Sequence, residues 1–289
     1  MVSKRSLYIA TLIAIVTAVA SPSRADSLLD ATTPASAAMG GAYGAVAADN
    51  GAILLNPAGM SATRRYGAGA AYLFNNPYSE SRIDLSVIDS VTSSLGVGFG
   101  YYRDKYHLSS LSVHRDTYAL ALSMGEPGLF SAGVTGRLDQ FSQGLSGSSG
   151  TLGYGILFSP DLPFLNISLA ALNLTRVKGN RGQLPPRLID AGISLLLQGT
   201  VTVAFDAVKD LDITTNKNID YHLGGEVMII NQIALRAGYV WHVATKINDV
   251  SAGIAWKVQR FSLSYAFIGG SGNGPYGNTQ LISFTVYPF

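Results

Sequence analysis

The chain has 289 residues, of which 13% are charged and 47% hydrophobic, with a formal net charge of +2. A soluble domain carries roughly a quarter charged residues, so the deficit points to a surface in contact with lipid. Basic and acidic residues are mixed without a basic block, which excludes a nucleic-acid footprint, and the absence of cysteine excludes disulfides, an acylated N-terminal Cys and any thiolate metal site.

The opening "MVSKRSLYIATLIAIVTAVASPSRADS" sets Lys4 and Arg5 before an apolar run from Leu7 to Ala20, followed by small residues. This order predicts a secretory signal peptide, because the run is too short for a comfortable membrane-spanning helix. Cleavage after Ala25 or after Ala20 satisfies the small-x-small rule, and Ala25 is preferred. The chain then divides into a signal peptide over 1–25, an N-terminal segment over 26–65 and a strand-rich body over 66–289. No later apolar stretch approaches the roughly 18 to 20 residues of a membrane helix. A mature chain that spans a membrane must therefore do so as a closed barrel.

Within the N-terminal segment, "AMGGAYGAVAADNGAILLNPAGM" is built almost wholly from small residues, with a single acid and no base. Gly40, Gly41 and Gly44 keep one stretch slim, Asp49 follows, and Pro57 bars a simple helical continuation into the first strand. Such a stretch suits a helix and a return strand passing close to a wall.

From Tyr66 onward the chain falls into short alternating segments divided by turn-rich stretches. Fourteen are expected: 66–74, 82–90, 95–103, 116–124, 129–140, 151–159, 165–175, 187–197, 200–209, 219–229, 233–241, 249–257, 260–268 and 280–289. In "LGVGFGYY", Leu95, Val97, Phe99 and Tyr101 point one way and Gly96, Gly98, Gly100 and Tyr102 the other. Connections after even-numbered strands are brief, such as "QG", "INQ" and "VQ", with "PDLPFL" intermediate. Those after odd-numbered strands are longer and polar, such as "DKYHLSSLSVHR" and "GGSGNGPYGNTQ". An outer-membrane barrel sorts its loops by parity in this way, with short periplasmic turns and long external loops. The expected fold is thus all-β: a fourteen-stranded antiparallel transmembrane barrel in the outer membrane of a Gram-negative bacterium, both mature termini periplasmic, ending on "LISFTVYPF".

If the larger apolar side chains face lipid, the charged strand residues turn inward. By this alternation Arg137, Asp190, Asp206, His222, Glu226 and Arg236 face the lumen. Glu226 and Arg236 flank the tight "INQ" turn and are placed to pair, as charges buried in a barrel need partners. The four histidines show no metal-ligand spacing, and His107 and His114 are expected in or beside an external loop. No Gly-x-Ser-x-Gly elbow occurs. No catalytic residue, metal or cofactor is assigned.

The order of small-residue "AMGGAYGAVA", acidic "ADN" and "NPAGM", directly before the first strand, resembles the N-terminal region of the FadL superfamily of outer-membrane transport proteins. The resemblance implies that Asn56, Pro57, Ala58 and Gly59 belong to a hatch inside a fourteen-stranded barrel. Later segments, "LPPRLIDAGISL", "VAFDAVKD", "YHLGGEVMIINQIALRAGY" and "FSLSYAF", are similar to the smaller PorV/PorQ branch in their order. The likeness runs from about Ala35 to Phe289. One implied function is passage of small hydrophobic compounds past the hatch; the other is a non-conducting scaffold or shuttle for secretion or surface-attachment proteins. The external loops, at most about a dozen residues long, are short for a long-chain fatty-acid transporter, and both readings stand at this point.

Overall fold

The computed structural model describes residues 33–288 apart from 76–79, 109–110, 143–145, 161, 163, 179–183, 214–218, 244–246 and 270–277. The predicted signal peptide over 1–25, the next few residues to 32, most of the loop between the last two strands, and Phe289 lie outside the described residues.

Fourteen strands follow one another round one closed ring. They are β1 (Tyr66–Asn75), β2 (Glu80–Asp89), β3 (Leu95–Leu108), β4 (Leu111–Glu126), β5 (Phe130–Ser142), β6 (Gly147–Phe158), β7 (Leu165–Lys178), β8 (Leu188–Leu197), β9 (Val201–Asp210), β10 (Ile219–Ile229), β11 (Ile233–His242), β12 (Ile247–Lys257), β13 (Phe261–Gly269) and β14 (Thr279–Val286). Every neighbouring pair is antiparallel, and β1 closes on β14 with Ala68 opposite Val286. Closure leaves no unpaired strand edge, the condition for placing a sheet in hydrocarbon.

The alternation read from the sequence sets the two faces. Leu95, Val97 and Phe99 are exposed on the outside while Gly96, Gly98 and Gly100 are buried. Phe205 and Leu223 likewise face out, beside inward Asp206 and His222. Aromatic rings gather at both rims of this apolar belt. Trp256, Phe261 and Phe284 meet edge-on and tilted at the short-turn end, and Tyr221 with Trp241 and Tyr101 with Tyr118 meet at a tilt at the other. Amphipathic rings at two levels mark the two interfaces of a bilayer.

Several boundaries differ from those expected. The loop anticipated over 104–115 is largely strand: β3 and β4 are 14 and 16 residues long, which puts His114 on β4. Two cross-strand ion pairs extend this ladder, Arg103 with Asp116 at 2.8 Å and Arg115 with Asp104 at 3.0 Å, between residues directly opposite in register. At the far end β14 stops at Val286, short of the expected 289. Strand β7 carries an irregularity against β6 around Asn173, whose φ of 54° is left-handed; its side chain bonds Thr151 Oγ1 and the Pro186 carbonyl instead of continuing the ladder.

The N-terminal residues fill the ring. They form three short helices, α1 (Pro34–Ala38), α2 (Ala52–Leu55) and α3 (Gly59–Ala62), joined by turns. No return strand forms among the described residues of this segment. Gly40 and Gly41, at φ 63° and 80°, turn the chain immediately after α1, and Pro57 separates α2 from α3. Thr33 caps α1 by accepting from the Ser36 amide and donates to Asp49 Oδ2 at 2.9 Å, which folds the start of the plug onto its middle. Plug and wall share apolar clusters, for example Ile53 and Met60 with Ile88, Tyr102 and Ala119, and Ala37 and Ala38 with Leu73, Ala266 and Leu281.

Candidate functional site

The feature the fold builds with most care is the interface between plug and wall. Inward strand positions at plug height are repeatedly glycine, and each faces a particular plug residue. A methyl carbon added to Gly98 would lie 2.7 Å from Met60 Sδ and 2.9 Å from Ile53; one on Gly133 would lie 2.8 Å from Pro57 Cβ. On the opposite side, a methyl on Gly224 would lie 2.5 Å from the Met39 carbonyl oxygen, and one on Gly253 2.5 Å from Ala38 Cβ. Gly155 and Gly238 stand closer still, to Asn56 and to Gly40. The wall is thinned to bare backbone where the plug passes. Main chain and wall thereby come within direct contact distance.

Polar ties complete the seat. Asp206 Oδ2 on β9 accepts from the backbone amides of Tyr43 and Gly44, each at 2.8 Å. On β12, Ser251 Oγ donates to the Ala38 carbonyl at 3.1 Å and accepts from the Gly40 amide at 3.0 Å. His222 Nδ1 on β10 lies 2.6 Å from the Gly40 carbonyl, which can only accept, so this nitrogen carries the proton. Ser194 on β8 donates to the Ala45 carbonyl, Thr135 on β5 to that of Ile53, and Ser123 on β4 pairs with Ser61. The plug is thus bonded to strands spread around the ring. Most of these wall groups satisfy buried plug amides and carbonyls that the short helices and turns leave open.

The Asn-Pro-Ala-Gly motif has a structural part in this seat. Asn56 is fully buried. Its side-chain amide donates to the Gly44 carbonyl at 2.9 Å and to the Ile156 carbonyl of β6 at 3.4 Å, while its Oδ1 accepts from the Ala58 amide at 3.2 Å. One side chain therefore joins the two halves of the plug, the plug to the wall, and the turn that Pro57 opens. Gly59 packs so closely on Ala47 that a side chain there would meet its carbonyl. Asp49 caps the turn at Gly51 at 2.9 Å, and its own carbonyl accepts from Arg65, which locks to Ser90 on the wall.

The remaining sequence-predicted residues all face inward but do not form one cluster. Glu226 and Arg236 are opposite in register and pair at 2.6 Å, with Lys257 at 3.5 Å from the same carboxylate oxygen. Arg137 instead pairs with Asp139, two residues along the same face, at 3.0 Å. Towards the long-loop end, Arg82 with Asp84 at 2.7 Å makes another such pair. His222 is occupied by Gly40, and His242 lies between Asp220 at 2.7 Å and Asp249 at 3.1 Å. Among the described residues no group of three or more His, Asp or Glu is placed to hold a metal ion. The wall glycines and the Ser and Thr ties are not among the residues the sequence singles out. The glycines' signal is present in "LGVGFGYY", where each inward residue before Tyr102 is glycine.

No family model matches the chain, and no curated protein matches its sequence. Solved structures do match its fold. A monoaromatic hydrocarbon channel, CymD, superimposes with a TM-score of 0.67 at 14% identity, over 91% of this chain and 99% of that one. The toluene transporter TodX of P. putida gives 0.62 at 12%, over 89% and 98%, and a Pseudomonas aeruginosa FadL homologue 0.59 at 11%, over 93% and 100%. The chain has the fold of these FadL-type barrels.

Proposed function

We propose that this chain is an outer-membrane barrel that lets small hydrophobic compounds cross past the plug in its lumen, with both mature termini in the periplasm. The observation that carries the proposal is the full-length correspondence with CymD and TodX, a hydrocarbon channel and a toluene transporter. Nearly all of each of those chains finds a counterpart in this one. An apolar band with two aromatic girdles supports the membrane placement. A barrel of this width is wider than its own side chains fill, so a lumenal plug is what keeps such a wall from leaking water.

A second reading has its own support. The plug is bonded to the wall on many sides and seated on glycines, which suits a sealed barrel that serves as scaffold or shuttle for secretion or surface-attachment proteins.

One experiment separates them. Gram-negative cells that make the chain are compared with cells that lack it for uptake of radiolabelled toluene and of a labelled long-chain fatty acid, and the barrel is then isolated from the same membranes under mild detergent. Faster toluene uptake supports passage. Unchanged uptake with the folded barrel present in the outer membrane sinks it, and stable co-isolated surface-complex subunits would then favour the scaffold.

A further inference from the structure

Strands β7, β8 and β9 bring Ser168, Gly192 and Asp206 into one register row. Asp190 lies two residues from Gly192 on the same inward face. The middle position of the row has no side chain, and its neighbours lean into the gap: a methyl carbon on Gly192 would lie 2.7 Å from Ser168 Oγ and closer still to Asp206 Oδ1. Gly44 of the plug covers the gap from inside. The position a methyl would take on Gly44 is 2.9 Å from Asp190 Oδ2, 3.2 Å from Ser168 Oγ and 3.3 Å from Asp206 Oδ2. Oxygens from three strands therefore converge on one small volume between wall and plug.

Their hydrogen bonding is incomplete in a consistent way. Asp206 Oδ2 accepts from Tyr43 and Gly44, but Asp206 Oδ1, Asp190 Oδ1 and Ser168 Oγ have no hydrogen-bond partner among the described residues. Asp190 is 4%, Asp206 0% and Ser168 5% exposed. Among the described residues no Lys, Arg or His forms a salt bridge to either carboxylate. This contrasts with Arg82–Asp84, Arg137–Asp139 and Arg236–Glu226 in the same lumen. Two buried carboxylates without a counter-charge are costly, and a hydroxyl with no partner beside them adds to the cost.

We infer that Asp190, Asp206 and Ser168 form a binding site for one divalent cation of the Ca²⁺ type, held between the barrel wall and the plug. An all-oxygen donor set selects a hard cation over zinc or copper, and a double positive charge balances the two carboxylates where a monovalent ion leaves one uncompensated. The bound ion would brace the carboxylate that clamps Tyr43 and Gly44, and so couple divalent cation outside the cell to the seating of the plug. This site is independent of what the barrel passes.

The test uses the full mature chain refolded into detergent free of lipopolysaccharide, which would itself bind Ca²⁺. Calorimetric titration with CaCl₂ is expected to show one saturable site, with a Kd of about 10⁻⁴ to 10⁻³ M, the range of extracellular Ca²⁺ modules. The temperature of heat-modifiable gel migration should rise in CaCl₂ relative to EDTA. NaCl at equal ionic strength should not reproduce the rise. Ser168→Ala removes a hydroxyl that no described protein group uses, so it should fold as well as the parent in EDTA yet bind Ca²⁺ several-fold more weakly. Asp190→Asn should weaken binding by about tenfold or more, as a ligand charge is lost. Absence of saturable binding, or Ca²⁺ binding untouched in both variants, overturns the proposal. A migration temperature that responds to pH but not to Ca²⁺ also overturns it, and would assign the pair a shared proton.

Discussion

The side-chain amide of Asn56 donates to the carbonyl of Gly44 at 2.9 Å, so the two most distinctive stretches of the plug sequence hold each other. The same amide reaches the Ile156 carbonyl, and its oxygen holds the Ala58 amide. Asn56→Ala strands these buried groups, and each unsatisfied partner costs about 1–3 kcal/mol. Asn56→Asp should be worse, since it turns an acceptor towards two carbonyl oxygens. Heat-modifiable migration and urea unfolding should both show the order parent, Ala, Asp. An Asp variant as stable as the parent would mean that the Asn56 amide nitrogen does not point at the Gly44 and Ile156 carbonyls.

The glycine seat makes a sharper forecast because it comes with an internal control. Gly98→Ala and Gly224→Ala each drive a methyl into the plug, against Met60 and Ile53 or against the Met39 backbone. Overpacking of this kind costs about 1–3 kcal/mol. Gly136 faces outward from β5, where the nearest atom to an added methyl is Leu152 Cδ2 at 3.7 Å; Gly136→Ala should be neutral or slightly stabilising in a strand. Because the parent chain has no cysteine, single cysteines placed in the plug can report its seating by thiol labelling. Labelling should rise in the two inward variants and stay at the parent level for Gly136→Ala.

How much of the molecule is legible in the sequence follows from the length scale of each signal. Strand number and the inward set, Arg137, Asp190, Asp206, His222, Glu226 and Arg236, are readable because a period of two is local and lipid enforces it over a whole strand. The hairpin tip of β3 and β4 reads as loop in the sequence. Its "DKYHLSSLSVHR" mixes charged and polar residues into both phases of the alternation, and the pairing of Arg103 with Asp116 and Arg115 with Asp104 emerges only once register is known. The seat is illegible for a related reason. Gly133 meets Pro57 and Gly238 meets Gly40 across long sequence separations, so neither partner marks the other. Asn173 falls inside an expected strand, although its left-handed φ makes it a point of irregular pairing with β6.

Glu226 is held by Arg236 at 2.6 Å and by Lys257 at 3.5 Å. The Arg236 side chain is almost wholly buried. Glu226→Gln leaves that guanidinium without its counter-charge and should cost about 3 kcal/mol. Arg236→Met alone should cost less, because the carboxylate keeps Lys257 and some access to solvent. The double variant Glu226→Gln with Arg236→Met should recover part of the single Gln loss. A double-mutant cycle on urea unfolding measures this; strict additivity would show that the pair contributes nothing beyond its separate side chains.

Beyond the membrane belt, Asp212 lies between two arginines and ties the connection after β9 to the start of β8. It accepts from the Arg187 amide and Nε, each at 3.0 Å, and from Arg176 at 2.5 Å. Partial burial pushes its carboxyl up, but the Arg187 hydrogen bonds and the two nearby positive charges outweigh this and hold it below the usual carboxylate range. A depressed folded pKa means that the stabilisation is complete above the unperturbed Asp value of about 3.9 and disappears as pH falls through the lower folded value. The groups are partly solvated, so the energy is small, below about 1 kcal/mol for an exposed pair, and the barrel itself should stay folded. The readout is therefore local: the Arg187 Nε resonance, followed by NMR in detergent as pH is lowered, should shift with a midpoint below about 3.9, the unperturbed Asp value. Asp212→Asn should show the acid-form shift already at neutral pH, and high salt should move the parent's midpoint up towards the unperturbed value. A midpoint at or above that value in low salt would mean that the two arginines do not hold this carboxylate in solution.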